Sequence, residues 1–450
     1  MSNSTRYAFL LVIVGLLVPV VATPATCATR ENWVGVWAAS PAFPNGPNIS
    51  NATIRQYLRL SLGGYRLRLR LSNDLGTRPL IIGSAALAAP GRQPGSIMPH
   101  SIHPLTFSSH ASIIIKPGQS VLTDPVKIDT KSLQIVAVDL FVPRATGITA
   151  THPFGVATTW ISKDGNSVGR DMLPEPTQSQ MRFFISEAET DIPDAVTLVA
   201  FGDSITDGYG LTVDRQFRWP DILVNRLTKA NLRIGVVNAG LAGNRMLRDG
   251  QAAALGPSAL ARFDRDALSV PNVRTIILLE SINDIGFSDD KGPPEQIVSA
   301  QDIETGMRQL ITRAHAHGIR IFGATLTPFG GAEPGFYSAA GEAKRRAVNQ
   351  WIRSSGAFDG IIDFDAAVRD PSHADRIRPD YDQGDHIHMN NLGYRVMAEH
   401  IDLTLLTPTP QPICAGEVQV GKSKDDAHVR LPLEAFRVPA HSSLKTPSTR

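Results

Sequence analysis

The segment Val196–Phe201 constrains the fold of this chain more than any other. Its side chains do not alternate regularly between polar and apolar, which is typical of a parallel strand that is covered on both faces. Further strand-like segments follow at Ile234–Val237, Thr275–Leu279, Arg320–Thr325 and Gly360–Asp363. Helical patterns accompany them at Trp219–Leu227, Asp302–His315, Glu342–Ser354 and Asn391–Leu405. Strands that alternate with helices predict an α/β fold in which helices cover a parallel sheet.

The first half of the chain has a different pattern of apolar and polar residues. Between Trp33 and Ile185, short apolar runs are separated by Pro, Gly, Asn and Asp. This pattern predicts many short strands and an all-β sandwich, jelly-roll-like in its connections. The chain turns polar at 187–194, so we expect the sandwich domain to span residues 31–190 and the α/β domain to span residues 194–406.

The clearest strand of the first half alternates apolar residues with arginines, namely Tyr65, Leu67, Leu69 and Leu71 with Arg66, Arg68 and Arg70. Such a basic stripe could bind a ligand, but a solvated strand face is the simpler interpretation and the one that we expect. The pair Gly63-Gly64 stands between this strand and the run that begins at Ile54. Two glycines between two such runs predict a tight hairpin turn.

The N-terminal residues have the features of a targeting segment. Arg6 precedes an apolar run over residues 8–22, and small residues follow as far as Ala28. This order is typical of a secretory signal peptide, which we assign to residues 1–28. The alternatives are an uncleaved anchor and lipid attachment at Cys27, although the apolar run is shorter than the ~20 residues of a membrane span. We expect an exported protein, secreted or periplasmic, without a stable membrane span after cleavage.

The overall composition is that of an ordinary globular protein. Of the 450 residues, 42% are hydrophobic and 19% are charged, and the net charge is +2. Because no block of like charge is long enough to bind a polyanion, we expect no nucleic-acid partner. Residues 407–450 are rich in Pro, Thr, Ser and Lys, and they are predicted to form a disordered tail. The sequence does not indicate an oligomeric state.

The segment Phe201–Gly208 contains the first candidate reactive group. It reads Phe-Gly-Asp-Ser-Ile-Thr-Asp-Gly, and its Ser204 follows directly after the first buried strand. A side chain there stands at the carboxyl edge of the sheet, where α/β proteins bind ligands. Ser204 could serve as a nucleophile, or it could simply cap the helix that follows.

A second segment, Gly384–Asn390, supplies the partners that a serine nucleophile needs. Asp385 and His388 are separated by two residues in a loop that leads into a helix. With this spacing the carboxylate can hold the imidazole while the imidazole removes the proton of Ser204. His386, with Asp385 and His388, could instead bind a metal. No third cluster of ligands accompanies them, so we expect neither a metal nor another cofactor.

Two further loops could stabilise a developing negative charge. Gly240 lies in the segment Asn238–Gly243 after the second strand, where a glycine lets a backbone N–H approach the substrate. Asn283 lies in the segment Ser281–Asp284 after the third strand and offers a side-chain amide. Both loops could also be ordinary turns, because Asn and Gly are common turn residues. Since all these segments follow strands of one parallel sheet or precede the last helix, we expect them to meet at one edge.

In these motifs the chain resembles the SGNH hydrolases, also called GDSL esterases and lipases, over residues 196–403. The opening Trp33–Trp37 resembles the start of the β-sandwich that precedes this domain in a bacterial two-domain subgroup. The resemblance implies a flavodoxin-like three-layer α/β/α fold and ester hydrolysis through an acyl-enzyme without a cofactor. It also implies that the oxyanion is bound by the backbone of Ser204 and Gly240 and by the side chain of Asn283.

The chain departs from the family pattern at two positions. Ser281 stands where a glycine is usual, and its bulk could narrow the pocket or shift Asn283. Met389 stands where a proline is usual, which could loosen the loop that holds His388. Neither departure removes a reacting group. Three functions stay open: an esterase for short-chain or acetyl esters, including those of polysaccharides; a lipase or lysophospholipase; and a catalytically weak carbohydrate-binding protein. The expected partner is a small-molecule or polysaccharide ester.

Overall fold

The structure is a computed structural model that describes residues 31–163, 165–287 and 296–407. The signal peptide predicted at 1–28 lies outside the described residues, as does the tail predicted at 407–450 apart from its first residue. Among the described residues, no helix is long and apolar enough to cross a membrane.

The residues before Asp191 form antiparallel sheets. Their strands are β1 (Trp33–Ala38), β2 (Pro44–Gly46), β3 (Ala52–Arg59), β4 (Arg66–Ser72), β5 (Leu80–Ile82), β6 (Ser84–Ala88), β7 (His103–Leu105), β8 (Ile113–Ile115), β9 (Ser120–Leu122), β10 (Val126–Lys127), β11 (Ile135–Val142), β12 (Thr149–His152), β13 (Thr159–Ile161), β14 (Thr177–Ser179), β15 (Arg182–Phe183) and β16 (Ile185–Asp191). Two smaller sheets have the orders β15-β12-β2 and β5-β8. The two larger sheets have the orders β1-β16-β4-β10, in which β9 also pairs with β4, and β14-β13-β3-β11-β6-β7. Both contribute leucine, isoleucine and valine side chains to one core, so this region is a β-sandwich.

The prediction of a hairpin at Gly63-Gly64 is wrong. β3 and β4 lie in different sheets, so the glycines belong to a connection that crosses from one sheet to the other. They are required there by close packing, because a Cβ on Gly63 would lie 2.2 Å from the carbonyl oxygen of Thr130. A two-residue turn would have paired the strands directly.

The arginine stripe on β4 is not the solvated face that we expected. Its residues pair with acidic residues directly opposite on β16, namely Arg66 with Asp191, Arg68 with Glu189 and Arg70 with Glu187. The two glutamates are buried, and the guanidinium of Arg68 covers the ring of Trp33 at 4.0 Å. Opposite charges at facing positions stabilise neighbouring strands, so the stripe is part of the sheet's own packing.

The residues after Val196 form an α/β region with a parallel sheet. Its strands are β17 (Val196–Gly202), β18 (Ile234–Gly240), β19 (Val273–Leu279), β20 (Arg320–Ala324) and β21 (Gly360–Ile362). Its helices are α1 (Ser204–Asp207), α2 (Trp219–Lys229), α3 (Ala259–Phe263), α4 (Ile282–Gly286), α5 (Ala300–Ala316), α6 (Ala339–Ser354), α7 (Phe364–Val368) and α8 (Asn391–His400).

The strand order of this sheet is β18-β17-β19-β20-β21, which is the flavodoxin-like arrangement. Helices α2, α7 and α8 pack together, and α3, α5 and α6 form a second group, giving three layers. The last helix ends at His400 rather than Leu405, and a 3-10 turn at Leu403–Leu406 follows it. The predicted fold class, a sandwich followed by a three-layer α/β/α domain, is therefore confirmed.

The two regions meet where β1 packs against β18. The backbones come so close that a Cβ on Gly235 would lie 2.3 Å from the carbonyl oxygen of Gly35. Two hydrogen bonds cross this contact: Gly35 N donates to Thr197 Oγ1 at 2.9 Å, and Val236 N donates to Ser61 Oγ at 2.8 Å. The sandwich is thus fixed against the edge of the parallel sheet.

Candidate active site

A cavity of about 540 Å³ opens at the carboxyl ends of the central strands. Open α/β sheets bind ligands at this edge, and the volume is typical of a small-molecule site. Ser204, Asn283, Asp385 and His388 all line the cavity, whereas Gly240 is not among the lining residues. The rest of the lining is mainly apolar and includes Phe154, Tyr209, Ala242, Leu255, Phe287, Phe336 and Ile387. The cavity therefore combines polar groups with a large apolar surface.

Ser204 is the first residue of α1, and its side chain does not cap the helix. Asp203 occupies the N-cap position instead, and its carboxylate accepts the backbone N–H of Ile205 at 2.9 Å. Ser204 is only 5% exposed, and its Oγ lies 2.7 Å from Nε2 of His388. The structure therefore brings Ser204 and His388 together in the geometry that proton transfer requires.

His388 is held by Asp385 on its other side. Nδ1 of His388 lies 2.7 Å from Oδ2 of Asp385, whose second oxygen accepts the backbone N–H of Ile387 and of His388. Partial burial acts to raise the pKa of Asp385, but the hydrogen bond and charge of His388 hold this pKa well below its usual range. An ionised Asp385 fixes the tautomer in which Nε2 can accept the proton of Ser204.

The loop that carries His388 packs around the side chain of Met389. Met389 is fully buried, and a Cβ on Gly393 would lie 2.8 Å from its side chain. The loop is closed by Asn390, whose backbone N–H donates to the carbonyl of Tyr381 at 2.7 Å. A buried apolar side chain and this cross-loop hydrogen bond replace the rigidity of a proline.

Asn283 and Gly243 line the cavity at positions from which they could bind an oxyanion, whereas the predicted Gly240 does not line it. The backbone N–H of Gly240 donates to Oδ1 of Asn238 at 2.9 Å, so this amide is engaged within its own loop. Gly243 lines the cavity and has a φ of +74°, which favours glycine. The amide of Asn283 is oriented by a 2.9 Å hydrogen bond to the carbonyl of Asn244. Gly243 is therefore a candidate donor beside the predicted Gly240, which lies outside the cavity lining.

Ser281 does not affect the cavity in the way that we expected. It is not among the lining residues, so it does not narrow the cavity. It adopts a φ of +104°, a backbone conformation that favours glycine, at the start of the helix that carries Asn283. Its buried hydroxyl has no hydrogen-bond partner among the described residues. Having serine instead of glycine at position 281 therefore strains the backbone locally.

Arg262 is a buried positioning residue that the motifs did not reveal. Its guanidinium donates to the carbonyls of Gly202 and Ala239, each at 2.8 Å, and to Oδ1 of Asn244 at 2.7 Å. Glu280 lies 3.8 Å from it, and burial raises the pKa of this carboxyl well above its usual range. Because Arg262 ties together the ends of β17 and β18, it positions the loops that carry Ser204 and Gly243.

Asp284 holds the segment that follows Gly243. Its carboxylate accepts the backbone N–H of Met246 at 2.6 Å and of Leu247 at 3.0 Å. Burial raises the pKa of Asp284 to about 6, although both amides favour its ionised form. The residue next to Asn283 in the motif therefore fastens the segment that follows Gly243.

The sandwich region also reaches the site, which the sequence did not signal. Nε2 of His152 lies 3.0 Å from Oδ1 of Asp207 in α1, and Nδ1 lies 3.0 Å from the carbonyl of Ser40. Two residues further along, Phe154 lines the cavity and packs edge-on against Tyr209, with ring centroids 5.2 Å apart. No spacing within either region could reveal contacts that join residues of different regions.

The rings of His386 and His388 lie against different carboxylates, those of Asp382 and Asp385. Nδ1 of His386 lies 2.5 Å from Oδ2 of Asp382, and the ring of His386 packs against Gly331 at the rim of the cavity. Among the described residues, no group of three or more His, Cys, Asp or Glu side chains could hold a metal ion.

The comparisons with known proteins concern the α/β region. Residues 200–396 match the model of the GDSL-like Lipase/Acylhydrolase family. Among curated proteins, none matches this chain. Similar solved structures include a member of the lipolytic protein G-D-S-L family from Veillonella parvula, with 22% identity, coverage of 46% of this chain and 96% of that chain, and a TM-score of 0.33.

Two further solved structures are similar to a comparable share of the chain. The lipase/acylhydrolase from Enterococcus faecalis has 18% identity, coverage of 46% and 92%, and a TM-score of 0.35. A variant of an acetyl-xylooligosaccharide esterase from Geobacillus Stearmophilus has 21% identity, coverage of 46% and 93%, and a TM-score of 0.35. On the strength of the family model, residues 200–396 are a GDSL-like lipase/acylhydrolase domain.

Proposed function

We propose that this protein is an exported serine esterase that hydrolyses carboxylic esters through an acyl-enzyme. The observation that carries the proposal is the pair of 2.7 Å hydrogen bonds that links Asp385 to His388 and His388 to Ser204. A serine hydroxyl is a weak nucleophile until an adjacent base removes its proton, and this arrangement supplies that base. The family of residues 200–396 supports the same reaction class.

The proposed mechanism has two halves that use the same groups. Nε2 of His388 takes the hydroxyl proton as Oγ of Ser204 attacks the ester carbonyl. The C–O bond to the alcohol then breaks, and His388 gives its proton to the departing oxygen. Water attacks the acyl-enzyme by the same route, His388 again accepting and returning a proton, and the acid is released. Asp385 stays ionised and stabilises the imidazolium in both halves.

We propose that the oxyanion is bound by the backbone N–H groups of Ser204 and Gly243 and by the side chain of Asn283. All three residues line the cavity, and Asn283 is already oriented by Asn244. Donors that are fixed before the reaction need no reorganisation when the charge develops. This set differs from the one expected from the sequence only in the glycine.

The proposed substrates are short-chain or acetyl esters, including those of carbohydrates. The cavity volume of about 540 Å³ would accept such a group with part of its alcohol. Export is proposed from residues 1–28, and sequencing the N-terminus of the mature protein after export would test it. Recovery of an uncleaved chain in the cytoplasm would contradict export.

The function is tested with p-nitrophenyl esters from acetate to decanoate, using the mature protein and Ser204→Ala. We expect the substitution to lower kcat by at least ~10⁴-fold, because removing a serine nucleophile has effects of this size or larger. The matched control is Ser186→Ala, a serine of the sandwich that does not line the cavity. Equal rates for the wild type and Ser204→Ala would overturn the proposal. The chain-length profile of the wild type would report the size of the acyl site.

A further inference from the structure

A loop of the sandwich region completes one wall of the cavity. Phe154 follows β12 in that region, yet its ring packs edge-on against Tyr209 of the α/β region at 5.2 Å. The ring of Tyr209 in turn lies 5.0 Å from that of His388. We call Phe154 and Tyr209 the aromatic wall. It is the part of the cavity lining that leads directly to the imidazole.

The loop that carries Phe154 is fastened to the α/β region on both sides. Before it, His152 contacts Asp207 at 3.0 Å. After it, the backbone N–H and hydroxyl of Thr158 donate to the two carboxylate oxygens of Asp214 at 2.8 and 2.6 Å. Such fixed placement is what a binding surface needs, because little conformational entropy is then lost when a ligand binds.

Buried packing adds to this attachment. Val156 is 7% exposed and belongs to the hydrophobic core of the α/β region rather than to that of the sandwich. The guanidinium of Arg218 in the α/β region donates to the carbonyl of Gly155. The loop therefore packs into the α/β region, although it connects β12 and β13 of the sandwich.

The chemistry of the proposed reaction decides which part of the substrate meets the aromatic wall. The alcohol oxygen must lie near Nε2 of His388, because His388 protonates it as it leaves. The oxyanion donors Gly243 and Asn283 lie against other side chains: a Cβ on Gly243 would meet Leu255, and Phe287 follows Asn283 by one helical turn. An ester bound in this way would have its acyl group toward Leu255 and Phe287 and its alcohol toward the aromatic wall.

We propose that Phe154 and Tyr209 form a binding site for the alcohol part of the ester and select alcohols that carry a ring with an apolar face. Tyr209 is 39% exposed, so its ring surface is accessible. Aromatic side chains stack on such faces, whether the ring is a sugar or an arene. This inference rests on the proposed esterase function and extends it by assigning a selectivity role to the sandwich region.

The test compares three acetates of primary alcohols, which share the acyl group and the reacting linkage: 6-O-acetylglucose, benzyl acetate and ethyl acetate. We expect wild-type kcat/KM to be higher for at least one ring ester than for ethyl acetate. Phe154→Ala should lower that ratio by about tenfold, a size typical of lost aromatic contacts. Phe154→Leu, which keeps apolar volume in case the alanine variant folds poorly, should lower it as well. If the ratio falls for 6-O-acetylglucose, the selected ring is a sugar, and if it falls for benzyl acetate, the selected ring is an arene.

Phe287→Leu serves as the matched control on the acyl side, and it should leave the ratio unchanged. If the variants at Phe154 lower kcat/KM equally for all three esters, the wall merely positions His388 and the inference is overturned. The inference also fails if the wild type does not prefer either ring ester. In both cases ethyl acetate hydrolysis that depends on Ser204 would leave the esterase function intact. No Ser204-dependent hydrolysis of any ester would instead defeat the proposed function.

Discussion

The α/β region and the sandwich region serve the same cavity in different ways. The α/β region places Ser204, Asn283 and His388 at the ends of its strands and beside its last helix, where short motifs bring reactive groups together. Among the described residues of the sandwich, Phe154 alone lines the cavity, and its side chain is apolar. The difference teaches that the proposed chemistry is local to motifs, whereas the shape of the cavity depends on contacts between regions. Substitutions in the two regions should therefore have different consequences.

The largest expected effect belongs to the α/β region. We expect Asp385→Asn to lower kcat by about 10⁴-fold, because an amide would hold His388 in the wrong tautomer. The free energy of unfolding should change little, since Asp385 is partly exposed and its loop has other hydrogen bonds. Kinetics with p-nitrophenyl acetate and thermal denaturation would measure both. The matched control is Asp382→Asn, which alters the neighbouring pair with His386; an equal loss of kcat in that variant would contradict the role given to Asp385.

The next effect belongs to the sandwich and should concern stability alone. Arg55 is fully buried, and Asp139 binds it through both carboxylate oxygens, at 2.7 and 2.9 Å. Asp139→Ala would leave a buried charge unpaired, so the free energy of unfolding should fall by about 3–5 kcal/mol. Chemical denaturation would measure this loss, and kcat of the folded fraction should not change.

A double variant sharpens the same comparison. Replacing both partners by apolar residues, Arg55→Met with Asp139→Leu, removes the charge together with its counter-charge, so it should recover part of the lost stability. The recovery stays incomplete because three backbone carbonyls that Arg55 binds lose their donor. If Asp139→Ala lowered kcat while the protein stayed folded, the claim that the sandwich affects stability and the α/β region affects the reaction would be wrong.

The smallest effect tests strain next to the candidate oxyanion site. Ser281→Gly should raise the free energy of unfolding by about 1 kcal/mol, because glycine adopts the observed φ of +104° without strain. Ser281→Ala is the control, since it removes the buried hydroxyl but keeps the Cβ. A gain for alanine as large as that for glycine would show that the hydroxyl, and not the backbone, is responsible.

The sequence predicted those parts of the molecule that depend on neighbouring residues. The apolar segment Val196–Phe201 indicated a buried parallel strand because its environment is the same along its length. Asp385 and His388 were expected to meet because their spacing in a loop allows it, and the structure has them 2.7 Å apart. The hairpin at Gly63-Gly64 was not predictable in the same way, since strand pairing depends on distant partners.

The remaining site residues depend on contacts that no local pattern encodes. Gly240 ends β18, and Gly243 lies in the loop that follows it. The two glycines differ in their surroundings, because the N–H of Gly240 donates to Asn238 whereas Gly243 lines the cavity with a φ of +74°. Arg262 lies on a helix that has no motif of its own. Phe154 is remote from every reactive segment in the sequence, and it reaches the cavity only because its loop crosses to the other region.

The loop around Phe154 also has a consequence for engineering. Its anchors, His152, Thr158 and Val156, are separate from the one ring that it presents to the cavity. Libraries that vary position 154 and retain those anchors could therefore retune substrate preference without altering the catalytic machinery. For the same reason, transplanting residues 194–406 alone into another protein would carry over the reactive groups without the complete cavity.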